Sequence, residues 1–251
     1  MIISAPSKPR LDELLFARGL AESRTRAEAL VRAGLVFSGE KRLDKPGHRV
    51  PADLPLEVRG APHPWVSRGG LKLVHALDRF VLDPAGRVAL DIGASTGGFT
   101  DVLLARGAAK VHAVDVGRGQ FAWKLRNDPR VVLHEGVNAR HLTVAQVQED
   151  AVGAIACDAS FIGLETILPA ALALAAPGAW LVALIKPQFE VGKGRVGKRG
   201  VVRDAALHDE VCARIGAWLA GQPDWTVLGL AESPIQGPEG NKEFLIAACF
   251  G

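Results

Sequence analysis

From residue 81 onward the chain alternates short apolar runs with helical patterns, and this alternation restricts the fold more than any single motif. Strand-like runs fall at 88–92, 111–116, 131–134, 154–157, 180–185, 226–230 and 244–250. Strands separated by helices imply a mostly parallel, seven-stranded sheet in an open α/β fold. The last two runs leave no room for a helix between them, so they read as an antiparallel hairpin at the sheet edge.

Composition adds bounds. With 251 residues, 48% of them hydrophobic, the chain has enough apolar content for a packed core. Three cysteines, Cys157, Cys212 and Cys249, form neither a disulfide framework nor a zinc motif, which suits a reduced, cytoplasmic protein. The first residues lack the charged and apolar regions of a secretory signal. The apolar stretch 164–185 contains Glu165, Pro169, Pro177 and Gly178, so it reads as a helix followed by a strand, not a membrane span. The histidines lack metal-ligand spacing, and no metal is expected.

Charge is uneven. Residues 1–60 hold 11 Lys and Arg against 8 Asp and Glu, whereas residues 61–251 hold 19 of each. The whole formal excess sits in the first quarter, which points to an anionic partner there. In that quarter, Arg10-Leu11-Asp12-Glu13 opens one helix. Ser23 caps a second, with Arg24, Arg26 and Arg32 outward and Ala27, Leu30 and Val31 inward. Short strands are expected at 36–40 and 49–50. The pattern Arg10-Leu11-Asp12, Gly19, Ser23-Arg24, Ala27, Gly34, Val36, Ser38-Gly39 and Gly47 resembles an S4 RNA-binding domain. The resemblance implies a small α+β domain over residues 1–60, with Arg10, Arg24, Arg26, Arg32 and Lys41 facing RNA phosphates. Residues 61–66, with Pro62 and Pro64, read as a stiff linker in which Trp65 serves as a hinge.

The first strand of the α/β domain, residues 67–251, runs into Asp91-Ile92-Gly93-Ala94-Ser95-Thr96-Gly97-Gly98. A Gly-rich turn between strand and helix lets backbone approach a ligand closely. The second strand ends in Val114-Asp115-Val116, where an acid suits a ribose. A nicotinamide dinucleotide is the first rival. Yet the loop lacks the second glycine that pyrophosphate approach favours, and Asp91 would repel a diphosphate. Asp91 and Asp115 match the amino group and ribose of S-adenosylmethionine. Gly93, Ser95, Gly97, Gly98, Asn138 and Asp158 complete the cofactor candidates.

Four further ionisable residues stand beside strand ends or turns: Lys72 in Ser67-Arg68-Gly69-Gly70-Leu71-Lys72, on a helix expected to begin near Gly69, Asp158, Lys186 and Glu243. The carboxyl edge of an open parallel sheet surrounds its ligand crevice, so Asp158 and Lys186 should face one site. A ribose 2′-hydroxyl is a poor nucleophile and needs a base. Lysine serves only when neutral, a state that burial and a neighbouring cation favour. Lys186 is read as the base, Lys72 as the neighbouring cation, and the two acids as orienters.

These positions resemble the Lys-Asp-Lys-Glu tetrad of FtsJ-type 2′-O-ribose methyltransferases, which have a Rossmann-like class I fold. Together with the S4-like module, Trp65-Val66-Ser67-Arg68-Gly69, Asp158-Ala159-Ser160-Phe161-Ile162, Lys186-Pro187-Gln188-Phe189-Glu190 and Ser233-Pro234, the chain is similar to the TlyA (haemolysin A) family over nearly its whole length. That resemblance implies methylation of cytidine ribose in ribosomal RNA (16S, 23S or both) by a cytoplasmic monomer that binds ribosomal RNA or ribosomal subunits and no membrane. Arg68 and the acid-free segment with Lys193, Arg195, Lys198 and Arg199 join the RNA-facing set, and glycines in that segment predict mobility.

Three alternatives stand beside this reading: a ribosome-assembly factor with a non-catalytic fold, a base-directed RNA methyltransferase and a membrane-active haemolysin. Asp158-Ala159-Ser160-Phe161 lacks the two prolines usual after the fourth strand of amino-group methyltransferases. No strongly amphipathic basic helix supports membrane activity. Trp123, Trp180, Trp218 and Trp225 read as packing residues, Cys157 as core, and His134 and His141 as structural.

Overall fold

The structure, a computed structural model, describes residues 8–21, 23–59, 63–148, 150–237 and 240–251, without the side chain of Lys193. The chain divides into two units, Met1–Pro64 and Trp65–Gly251. Ala61 and Pro62, the first two residues of the expected linker, lie outside the described residues.

In the first unit, α1 (Leu11–Ala17) and α2 (Arg24–Arg32) pack around Leu11, Leu15, Ala27 and Val31. Ser23 caps α2 as its sequence position suggests: its hydroxyl accepts the Arg26 N–H at 3.1 Å. A small sheet follows, with β1 (Val36–Ser38) between β2 (Lys41–Arg42) and β3 (Glu57–Val58). The strand expected at 49–50 is only a single bridge, between Arg49 and Arg10. The true third strand, β3, spans two residues beyond Pro55, too short to show an alternating pattern.

The second unit begins with α3 (Gly69–Phe80) and continues as β4 (Val88–Ile92), α4 (Gly98–Ala105), β5 (Lys110–Asp115), α5 (Trp123–Arg126) and β6 (Val131–Glu135). Then come β7 (Val152–Cys157), α6 (Leu164–Leu172), β8 (Ala175–Ile185), α7 (Pro187–Glu190), α8 (Ala205–Ala220), β9 (Trp225–Glu232) and β10 (Phe244–Phe250). Among the described residues these strands form one seven-stranded sheet, in the order β6-β5-β4-β7-β8-β10-β9. β4, β5, β6, β7 and β8 pair in parallel; β10 runs antiparallel to both β8 and β9. The expected terminal hairpin forms, but β10 is inserted inside the sheet and only β9 occupies the edge.

Apolar layers cover both faces. Leu90, Ile92, Val114 and Ile155 pack on one side, and Ala89, Val111, Ala113 and Leu184 on the other. Strands buried on both faces read as continuous apolar runs, which is why these were legible in the sequence. The apolar stretch 164–185 divides into α6 and β8, and among the described residues no helix is long and apolar enough to cross a membrane.

One tryptophan differs from expectation: Trp123 is exposed on α5 and is not a packing residue. Trp65 belongs to the second unit and lies over Gly70, where a Cβ would come within 2.6 Å of its ring.

Candidate active site

Sheet topology carries the polar residues to one edge. Asp158 directly follows β7 and Lys186 directly follows β8, and these parallel neighbours end side by side. Lys72 is on the first turns of α3. Glu243 immediately precedes β10, whose first residue, Phe244, pairs with Ile185. The insertion of β10 beside β8 therefore delivers Glu243 to the edge that holds Lys186.

The four side chains converge. Lys72 Nζ lies 2.7 Å from Glu243 Oε2 and 3.4 Å from Asp158 Oδ2; Lys186 Nζ lies 2.6 Å from Asp158 Oδ1. One carboxylate thus stands between two lysine side-chain nitrogens. Lys72 and Lys186 are each 6% exposed and Glu243 1%. Charges this buried persist only when paired, so each group keeps the others in place. Lys186 donates hydrogen bonds to the Asp158 carbonyl (3.1 Å) and the Ser160 hydroxyl (3.0 Å). Its close approach to Asp158 Oδ1 is an ion pair outside hydrogen-bond alignment. Glu243 likewise meets Lys72 as an ion pair, without an aligned hydrogen bond to either carboxylate oxygen.

Beside this cluster lies a cavity of about 680 Å³ lined by Gly93, Ser95, Asp115, Asn138, Asp158 and Phe161, among others. Gly93 adopts φ 79°, and a Cβ there would come within 2.9 Å of the Ala159 backbone. Only glycine lets the β4 loop pass so close to the β7 loop. Ser95 N–H donates to Asp115 Oδ2 at 2.8 Å, and Gly117 N–H to Asp115 Oδ1 at 2.6 Å, fixing that carboxylate on the cavity wall. Gly97 and Gly98 pack behind the loop, against Phe121, Leu125 and Ser67, and are not lining residues.

Asp91 is fully buried. Its Oδ2 accepts the Thr100 hydroxyl at 2.6 Å, while Oδ1 has no hydrogen-bond partner. Burial, reinforced by the charges of Asp158 and Asp115 and opposed by the Thr100 bond, raises the Asp91 carboxyl to about 7. A buried oxygen without a donor suits a cationic amino group, so the donor set fits S-adenosylmethionine: Asp91 for the amino group and Asp115 for the ribose. Burial pushes the adjacent Cys157 thiol up to about 12, which makes it an inert core residue.

Sequence reasoning missed several contributors. Ser160 holds Lys186, Thr100 holds Asp91, and Arg140 joins Asn138 on the cavity wall. Glu190 accepts the Leu164 N–H at 2.8 Å and pairs with Arg214 at 3.0 Å, linking the segment after Lys186 to the start of α6. Phe161 is 89% exposed, has φ 66°, and packs its ring 5.0 Å from Phe189. His134 bonds to the buried His112 at 3.2 Å, and His112 to Asp150 at 2.8 Å; that cluster is apart from the cavity lining.

The basic candidates are not equally free. In the first unit Arg10 pairs with Asp12, Arg24 with Asp12 and Glu13, and Arg32 with Glu28, whereas Arg26 and Lys41 enter no ion pair among the described residues. In the second unit Arg195 is clamped by Glu210 through two 2.5 Å bonds, Arg68 is exposed beside α3, and Lys198 and Arg199 are exposed. The Lys193 side chain lies outside the description. The segment contains short turns at Lys193–Arg195 and Lys198–Gly200, with Arg199 at φ 61°.

The sheet order, Gly-rich β4 loop and acidic β5 terminus define a Rossmann-like class I methyltransferase fold. Residues 65–250 match the FtsJ-like methyltransferase model and residues 9–54 the S4 domain model. A Mycobacterium tuberculosis protein, 16S/23S rRNA (cytidine-2'-O)-methyltransferase TlyA, is 48% identical over 95% of this chain and 89% of its own. Hemolysin A of Brachyspira hyodysenteriae is 37% identical over 94% of this chain and 98% of its own. A solved structure of a candidate hemolysin from Streptococcus thermophilus superimposes with a TM-score of 0.76, is 43% identical, and covers 98% of this chain and 90% of its own. The chain belongs to the TlyA (haemolysin A) family, with an S4 domain and an FtsJ-like methyltransferase domain.

Proposed function

We propose that this protein transfers a methyl group from S-adenosylmethionine to the 2′-hydroxyl of a cytidine in ribosomal RNA. The observation that carries the reading is the meeting of Lys72, Asp158, Lys186 and Glu243 beside the cavity lined by Gly93, Ser95 and Asp115, with the buried Asp91 preceding that loop. The family relative curated as a cytidine-2'-O-methyltransferase supports the substrate class.

The cofactor supplies an electrophilic methyl on a sulfonium. Asp91 binds its amino group, Asp115 its ribose, and Asn138 borders the adenine end. Lys186, neutral for the step, removes the 2′-hydroxyl proton; a neutral amine still has two N–H bonds for the Asp158 carbonyl and Ser160. Asp158 orients Lys186 and Lys72 together. Glu243 balances the Lys72 charge and fixes that cation beside the base. Positioning of donor and hydroxyl in one crevice supplies much of the remaining acceleration. Arg26 and Lys41 in the S4 domain, with Arg68, Lys198 and Arg199, bind RNA phosphates.

The test is alkaline hydrolysis of ribosomal RNA treated with the purified protein and methyl-labelled cofactor. Ribose methylation blocks cleavage at the modified position, so the label is expected in alkali-resistant dinucleotides containing cytidine. Label confined to mononucleotides would assign base methylation instead.

A further inference from the structure

One buried side chain joins the basic segment to Glu243. Asn241 is 4% exposed; its Nδ2 donates to the Gly200 carbonyl at 3.1 Å, and its Oδ1 accepts the Val202 N–H at 3.1 Å. A single amide thus holds the backbone on both sides of Val201. His208 strengthens the attachment: its Nε2 lies 2.9 Å from the Val202 carbonyl, and its ring packs 5.5 Å from Phe244, the residue after Glu243.

On one side of this clasp, Lys198, Arg199 and Arg203 line a cavity of about 600 Å³ together with Arg195 and one carboxylate, Asp204, the N-cap of α8. None of the three enters an ion pair among the described residues, in contrast to Arg195. Arg199 has φ 61°, a conformation that non-glycine residues keep only when their surroundings impose it. On the other side, the Asn241 carbonyl accepts the Gly237 N–H at 2.9 Å. Gly237 abuts the Glu243 carboxylate so closely that a Cβ would come within 2.7 Å of Glu243 Cδ.

We propose that Asn241 is a positioning residue that couples RNA phosphate binding at Lys198, Arg199 and Arg203 to the placement of Glu243, and through it Lys72. This rests on the RNA-methylation reading above. A buried amide does not give up two hydrogen bonds without leaving polar groups unsatisfied, so residues 200–202 and Asn241 move as one body. A phosphate strand seated in the cationic cavity therefore fixes the turn that presents Glu243. Arg203, absent from the sequence-based candidates, belongs to this phosphate site.

A double-mutant cycle tests the coupling. Asn241→Ala, Arg199→Ala and the double variant are compared in kcat and KM for methyl transfer to ribosomal subunits, with melting temperature and cofactor affinity measured for each. Asn241→Ala is expected to lower kcat roughly tenfold at unchanged cofactor affinity. Arg199→Ala is expected to raise KM and lower kcat, and the double variant to match Asn241→Ala in kcat. Asn241→Asp, which accepts from Val202 but does not donate to Gly200, should fall between. Additive losses in kcat, or losses that merely follow melting temperature across the Ala and Asp variants, would overturn the coupling. Absence of transfer by the unaltered protein would overturn the RNA-methylation reading itself, and the coupling with it.

Discussion

Glu243 Oε2 lies 2.7 Å from Lys72 Nζ, although Lys72 precedes the first strand of the large sheet and Glu243 precedes its last. This contact depends on β10 entering the sheet against β8, so the pair reports on the whole topology. Glu243→Gln keeps the shape and removes the charge. Breaking a buried pair leaves Lys72 with only the longer contact to Asp158, at a cost of about 3 kcal/mol in stability. Loss of both kcat and thermal stability is expected, measured by single-turnover methyl transfer and calorimetry.

Gly237 offers a sharper probe of the same corner. An added methyl at this position would press on the Glu243 carboxylate. Gly237→Ala is expected to reduce methyl transfer while costing about 1–3 kcal/mol in stability, as overpacking does. Calorimetry beside kinetics separates the two effects, and cofactor affinity should stay close to its original value.

Asp91 predicts a pH dependence. Its folded carboxyl sits at about 7, above the ordinary 3.8, because burial favours the neutral form. Between those values the folded state holds a proton that the unfolded state has lost. The contribution of Asp91 to stability is therefore complete below about pH 3.8 and is lost as pH rises through 7. Binding a cationic amino group requires the ionised form, so cofactor affinity should move the other way and increase from pH 6 to pH 8. Titration calorimetry across that range checks it. Asp91→Asn should bind weakly and without this dependence.

In the S4 domain, the ion pairs separate the candidates. Arg10, Arg24 and Arg32 already have carboxylate partners, whereas Arg26 and Lys41 have none among the described residues. Reversing Arg26 and Lys41 to Glu should weaken RNA binding more than reversing Arg10 and Arg32. The log–log salt slope should flatten by about 0.7–0.9 for each phosphate that is no longer neutralised. Filter binding at several salt concentrations measures both effects.

Much of this architecture was legible in the sequence because parallel strands covered on both faces must be apolar throughout, and because Asp158, Lys186 and Glu243 stand at strand ends, with Lys72 near the start of α3. The edge hairpin was legible as a pair of strands, but its insertion was not, since strand order is a long-range property. The short elements were misplaced for local reasons: β3, with two residues, escaped, and the strand expected at 49–50 is only the Arg49 bridge. Ser160 and Glu190 escaped because a serine and a glutamate look like surface residues until their partners, Lys186 and Arg214, are known. The contact of Asn241 with Gly200 and Val202, at the end of the basic segment, was not legible because Asn241 comes from another part of the chain.

The central claim is that Lys186 acts as the base of a ribose methyl transfer. Its most direct test is the single-turnover rate of Lys186→Ala on ribosomal subunits, with cofactor affinity measured alongside. Loss of general-base catalysis predicts a fall of about 10²- to 10⁴-fold, with cofactor affinity changed by no more than about twofold. An unchanged rate at normal affinity would remove Lys186 from the chemistry and contradict the account.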